Sequence, residues 1–242
     1  MKTQYDDIMK YKSQPGELLE IGCSYGMLME YFIKNGWKAT GIDISKNAIQ
    51  NAKSKGLDCY NDTPEEFKPK GKFDVIILSN VLEHLQHPEQ CLSIIKNWLK
   101  EDGIIYIRVP NVDSIILPSF RTTFLGDLKP FEHFFYFNKS NLGALLNQVE
   151  LKSAIKTDGA VSLGNILNCY FRSKIVLSHS WQSLNVKKRP EEKKIYLLAK
   201  HIYGELLTVL TAISMGPKNR ELVAFAGLEE KSLRAAENKG RG

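Results

Sequence analysis

The sequence predicts an α/β fold: a seven-stranded, mostly parallel sheet with helices on both faces and a helical insertion before the last strand. Three observations predict it. Strand-like apolar runs alternate with helical patterns through the first 150 residues, the order that parallel crossovers require. The run Phe73–Leu78 is apolar enough for a strand buried on both faces. Residues 18–26 join an apolar run to an acid, two glycines four residues apart and then Met-Leu-Met-Glu-Tyr-Phe at helical spacing. Strand, glycine turn and helix together start a nucleotide-binding unit.

The elements follow in order. A first strand spans Glu17–Ile21, and a helix runs from Tyr25 to Lys34, where Asn35-Gly36 caps it. The second strand, Lys38–Ile42, ends at Asp43, after which Ser45 caps a helix that closes at Lys55-Gly56. A short third strand lies near Asp58–Tyr60, followed by the turn-forming Asn61-Asp62-Thr63-Pro64. After the fourth strand, Phe73–Leu78, a helix covers Pro88–Leu99, and a fifth strand, Ile104–Val109, stops at Pro110. Residues 111–137 read as a long loop with a dense aromatic patch, Asn138–Val149 as a helix and Leu151–Thr157 as a sixth strand. Glu221–Ala226 supplies the seventh, and the residues between the last two strands are too many for a plain connection.

The domain reading is therefore a core at 1–159, a helical insertion at 160–217 that covers substrate, the last core strand at 218–228 and a flexible tail at 229–242. Only about sixteen residues precede the first strand, so the insertion is expected to supply most of the cover. Within it, Tyr196–Met215 is strongly apolar, but Lys200, His201 and Glu205 interrupt its first half. The uncharged remainder is too short to span a bilayer. Two readings stay open: a core or lid helix, and an amphipathic helix touching membrane or a lipid-like substrate.

Composition bounds the function. The chain has 242 residues, 43% of them hydrophobic and 25% charged, as in an ordinary soluble globular protein. The four cysteines form no C-x-x-C pair and no zinc spacing, which points to free thiols in a reducing compartment. A polar, acidic start in place of an apolar leader fits a cytoplasmic protein. The net charge is +6, much of it in Val186–Lys194 and the last dozen residues. Nothing interleaves aromatic and basic residues as single-stranded nucleic-acid binding would require, so no nucleic-acid partner is expected. The oligomeric state is not legible.

The glycine spacing separates ligand classes. A dinucleotide fingerprint has a middle glycine where backbone meets pyrophosphate. Here that position is Ser24, within Glu20-x-Gly22-x-x-x-Gly26. The loop suits a nucleotide-like ligand without pyrophosphate. Together with Asp43 and Phe73-Asp-Val-Ile-Ile-Leu-Ser-Asn-Val-Leu-Glu-His-Leu85, it resembles the class I S-adenosylmethionine-dependent methyltransferases. Within them, the likeness is greatest to the small-molecule group with an Asn-Val-Leu-Glu-His signature. Pro110-Asn111 and Glu132-His133-x-x-Tyr136-Phe137 resemble that group too. The resemblance covers about residues 17–150 and the last strand, and implies a Rossmann-like class I methyltransferase fold.

It also implies roles. Gly22 and Gly26 let the first loop approach the cofactor, with Cys23, Ser24 and Tyr25 between them. Glu20, at a strand's carboxyl end, would orient the methionine amino group of S-adenosylmethionine, and Asp43, with Ile44 beside it, would accept the ribose hydroxyls. Asp62 is placed at the adenine amino group, although its turn also suits a helix cap. Ser79, Asn80 and Val81, after the fourth strand, would line the methionine half. Because the sulfonium is already activated, the protein's tasks are alignment and removal of the acceptor's proton. His133, in the aromatic loop, is the favoured base, with His84 the second candidate and Tyr136 positioned to orient an acceptor. No Asp/Glu/His cluster of ligand spacing accompanies these residues, so no metal is expected.

The expected reaction is methyl transfer to a hydroxyl, amine or carboxyl of a small molecule or of a glycan or lipid-linked precursor, with S-adenosylhomocysteine as product. The apolar insertion favours a bulky acceptor such as a quinone-like ring or an isoprenoid-linked sugar, with peripheral membrane contact as a corollary. A nicotinamide-dependent Rossmann oxidoreductase and a non-catalytic S-adenosylmethionine-binding protein are the competing readings. Ser24 argues against the first.

Overall fold

Seven strands form one sheet in the order β3-β2-β1-β4-β5-β7-β6. The computed structural model of the chain describes residues 1–114, 132–158, 221–229 and 233. The strands are β1 (Glu17–Ile21), β2 (Lys38–Ile42), β3 (Asp58–Tyr60), β4 (Phe73–Ser79), β5 (Leu99–Pro110), β6 (Lys152–Asp158) and β7 (Glu221–Gly227). Pairings β1–β2, β1–β4, β2–β3 and β4–β5 are parallel, and β5–β7 is antiparallel. The order reverses between β1 and β4, the topological switch point at which ligands of open α/β sheets bind.

The apolar strand runs divide their side chains between two faces. Leu19, Ile76, Leu78, Ile105, Ile107, Leu222 and Ala224 enter one cluster with Leu92, Ile95, Leu142 and Leu146. Leu18, Val75, Ile77, Ile104, Tyr106, Val223 and Phe225 enter the other with Ile8, Met29, Phe32 and Ile49. Period-two alternation sends neighbouring residues to opposite sides, so a strand apolar throughout needs helices on both.

Those helices are α1 (Lys2–Tyr11), α2 (Met27–Lys34), α3 (Lys46–Ser54), α4 (Pro88–Ile95) and α5 (Lys139–Gln148). The Ser45 side chain accepts from the Ala48 amide and so caps α3 as expected. Three expected boundaries shift. Helix α2 starts at Met27 rather than Tyr25, because Gly26 (φ 74°) is its left-handed N-cap. The helix expected to reach Leu99 ends at Ile95 and tightens into a 3-10 turn at Lys96–Trp98, while β5 already begins at Leu99.

Helix α1 lies in a segment for which no element was expected. Its Ile8 is fully buried, and Tyr5 packs against Tyr31 and Phe32 with centroids 5.5 and 5.2 Å away. Gln4 donates from Nε2 to Ser79 Oγ at 2.8 Å. The short amino-terminal segment thus reaches the end of β4. Leu233 lies buried in the α1-side cluster, inside the stretch expected to be a flexible tail.

The chain divides into two units: Met1–Val112, Lys129–Thr157 and Glu221–Gly242 form the first, and Asp113–Leu128 with Asp158–Arg220 the second. The expected insertion at 160–217, with its Tyr196–Met215 helix, falls outside the described residues. Among the described residues no helix is long and apolar enough to cross a membrane, and Cys23, Cys59 and Cys91 are free and buried.

Candidate active site

The carboxyl ends of β1, β2 and β4 converge at the switch point and carry most of the expected site. The loop after β1 is held by its backbone: Gly22 and Cys23 amides donate to Ile42 O at 2.8 and 3.1 Å. Gly22 adopts φ 73°, and a Cβ there would lie 2.5 Å from Val81 Cγ2. Val81 thus backs the loop with its side chain, and a larger residue at Gly22 would push the loop outward. Ser24 takes a left-handed φ of 49° without being glycine. Its amide donates to Asp43 Oδ2 at 2.8 Å, which holds that conformation.

Asp43 also accepts from the Ser45 amide through Oδ1 at 2.7 Å. The carboxylate therefore ties the loop after β1 to the start of α3, and each oxygen keeps a lone pair for a ligand. Ile44 beside it is 79% exposed, and Tyr25 is half exposed on the neighbouring loop. Asn61 reaches back from Nδ2 to Asp43 O at 2.9 Å, which brings the β3 loop and the half-buried Asp62 to the same edge.

Glu20 is the anomaly of the site. It is 6% exposed, and its Oε2 has no hydrogen-bond partner among the described residues. Burial pushes its carboxyl up to about 8; the Met29 amide opposes that rise, and the Asp43 charge adds to it. An unpartnered carboxylate oxygen in an apolar site is costly unless a cation or donor completes it. Cys23, next to it, is raised for the same reason, first by burial and then by the charges of Glu20 and Asp43.

Beyond β4 the chain turns sharply. Asn80 is left-handed at φ 55°, and its amide donates to Arg108 O at 2.9 Å. A 3-10 turn, Leu82–His84, follows. The amides of Phe134 and Phe135 donate to Glu83 O at 2.9 and 3.3 Å, and Glu132 O lies 2.8 Å from His84 Nδ1. These bonds dock the aromatic segment onto the turn, so that the His84 and His133 rings meet edge-on at 4.7 Å and Tyr136 lies 6.0 Å from His133. Glu83, only 2% exposed, joins them: one ligand atom each from Glu83, His84 and His133 lie within 4.8 Å of one another. Sequence spacing hid this cluster, because His133 reaches it only through the docking of a distant segment. Burial raises the Glu83 carboxyl above its ordinary value, partly countered by its own backbone amide and by His84.

A sheet with its acids at the switch point and loops closing around them has the α/β fold of the class I methyltransferases. The chain belongs to the family described as "Methyltransferase domain", whose model matches residues 1–153. The ubiquinone biosynthesis O-methyltransferase of Glaesserella parasuis is 37% identical over 107 residues, 39% of this chain and 45% of that protein. Its namesake in Pelagibacter ubique is 35% identical over 101 residues, 39% of this chain and 42% of that protein. The chain thus spans about half the length of the curated relatives it matches. A SAM-dependent methyltransferase from Archaeoglobus fulgidus superposes over 93% of this chain and 91% of its own, with TM-score 0.60 and 17% identity. At that identity the likeness is one of fold.

Proposed function

We propose that the chain transfers the methyl group of S-adenosylmethionine to a hydroxyl of a small, ring-bearing acceptor. The observation that carries the donor is the pair of acids at the switch point, above all the buried, unpartnered Glu20 Oε2. S-adenosylmethionine brings a positively charged amine that suits Glu20 and two ribose hydroxyls that suit the remaining lone pairs of Asp43. When bound, it supplies an electrophilic methyl on sulfur. Gly22, Ser24 and Gly26 shape the loop beneath it, Ser79 and Asn80 border its methionine half, and Asp62 with Ile44 borders the adenine side. Gln4 steadies Ser79 from above.

The choice of oxygen as acceptor atom rests on the O-methyltransferase relatives, and the choice of a ring on their association with ubiquinone biosynthesis. The convergence of the His84 and His133 rings with Tyr136 supports this cluster as the acceptor-side group. Asp43→Ala is expected to weaken S-adenosylhomocysteine binding by about 1–3 kcal/mol, the range for losing bonds to a charged group. Calorimetry measures it, and thermal unfolding of the ligand-free variant separates loop damage from lost ribose contacts. Turnover, followed as S-adenosylhomocysteine release, is expected with dihydroxylated aromatic acceptors. Affinity for NADH without affinity for S-adenosylhomocysteine would overturn the reading.

A further inference from the structure

We propose that Glu83, His84 and His133 form a binding site for a divalent first-row transition cation of zinc-like preference. Four observations meet there. The three ligand atoms lie within 4.8 Å of one another. Ligands about 2.1 Å from a tetrahedral ion sit about 3.4 Å apart, so side-chain torsions of roughly an ångström's reach close the site. Glu83 is 2% exposed and its Oε2 has no hydrogen-bond partner among the described residues. A buried carboxylate is stable when it is paired or holds a metal.

His84 carries the third observation. Its Nδ1 lies 2.8 Å from Glu132 O, and a carbonyl oxygen can only accept. With Nδ1 carrying the proton of this bond, Nε2 is the ring nitrogen left to act as a ligand. A ring N–H donated to a backbone carbonyl is the usual support of a metal-bound histidine. The fourth is rigidity: the Phe134 and Phe135 amides fasten the segment that bears His133 to Glu83 O. Preorganisation of this kind lowers the cost of gathering the ligands. Two imidazoles and one carboxylate favour zinc, iron, cobalt or nickel over magnesium and calcium, which prefer oxygen alone.

Three protein ligands leave a coordination position open. On the methyl transfer proposed above, on which this step rests, that position polarises the acceptor hydroxyl. Its proton leaves to solvent, the oxygen lone pair forms the bond to the methyl carbon, and the carbon–sulfur electron pair stays on sulfur as the thioether. The cation undergoes no redox change.

The test is a titration of the chelator-stripped full chain with Zn²⁺ alone against a chromophoric competitor, repeated with Co²⁺ to read its visible bands. One ion per chain is expected. Glu83→Gln, His84→Ala and His133→Ala should each weaken binding at least tenfold, while His87→Ala, outside the cluster, should leave it unchanged. Weak or non-stoichiometric binding, or affinity indifferent to the three cluster variants, overturns the site. Far-UV circular dichroism and thermal unfolding on each variant, with Glu83→Gln the most conservative, keep a folding defect from passing as lost affinity. S-adenosylhomocysteine titrations on the wild-type sample separate the two proposals. Binding of the nucleoside without the cation overturns the metal site alone, and binding of the cation without the nucleoside overturns the methyl-donor reading alone.

Discussion

Glu20 couples the site to pH. Its carboxyl is pushed from an ordinary 4.5 to about 8 by burial, with the Asp43 charge adding to the rise. Between those values the folded chain holds a proton that the unfolded chain has released. Glu20 therefore opposes folding increasingly as pH climbs through that window, and stability is greatest below it. The difference in thermal midpoint between wild type and Glu20→Gln should widen in favour of the variant from pH 5 to pH 8. A constant difference would reject the shift. A cationic amine beside Glu20 restores its charge, so binding of S-adenosylhomocysteine near pH 7 should release a proton. Calorimetry in two buffers of different ionisation enthalpy reads that release as a difference in apparent binding enthalpy, which Glu20→Gln abolishes.

At the scale of the element, turns and caps decide where each segment ends. Gly26 sits at φ 74°, and a Cβ there would meet the Leu57 side chain. For an alanine the left-handed backbone alone costs roughly 1–2 kcal/mol. Gly26→Ala is expected to lower stability to urea by at least about 1 kcal/mol. Helix α5 starts on a reciprocal pair: the Asn141 amide donates to Asn138 Oδ1 at 2.9 Å, and the Asn138 amide to Asn141 Oδ1 at 2.7 Å. Asn138→Ala should cost about 0.5–2 kcal/mol in the same measurement. An unchanged midpoint would mean that packing of Leu142 and Leu146 holds the helix without its cap. The start of α5 was readable at Asn138, whereas α2 was expected from Tyr25 and begins only at Met27, after the left-handed Gly26. Helix α1 was not readable. Tyr5, Ile8 and Met9 are a thin apolar face, and only their docking on Tyr31, Phe32 and the sheet stabilises the helix.

Across the whole molecule, the sheet is completed late in the chain. Strand β7 runs antiparallel to β5 from Glu221 to Gly227 and supplies buried residues to both faces, among them Leu222, Val223, Ala224 and Phe225. The Arg108 side chain pairs with Glu221 where the two strands meet at the carboxyl edge. Removing residues 221–242 exposes the β5 edge and opens both clusters. The truncated chain is expected to lose its cooperative unfolding transition in circular dichroism, and a retained sharp transition would show that 1–220 folds alone.

Most strand positions, though not the early start of β5 at Leu99, were legible in the sequence along with the glycine loop and the acids of the first two strands, since apolar period, turn chemistry and capping act between neighbours. Glu20, Gly22, Gly26 and Asp43 fall at the switch point as that local logic requires. Tertiary structure decided what depends on residues far apart in the chain. It left Glu20 Oε2 buried without a partner among the described residues, engaged both Asp43 oxygens with backbone amides and bonded Gln4 of α1 to Ser79. It also brought His133 against Glu83 and His84. Burial and convergence are properties of the packed chain, and no spacing along the sequence encodes them.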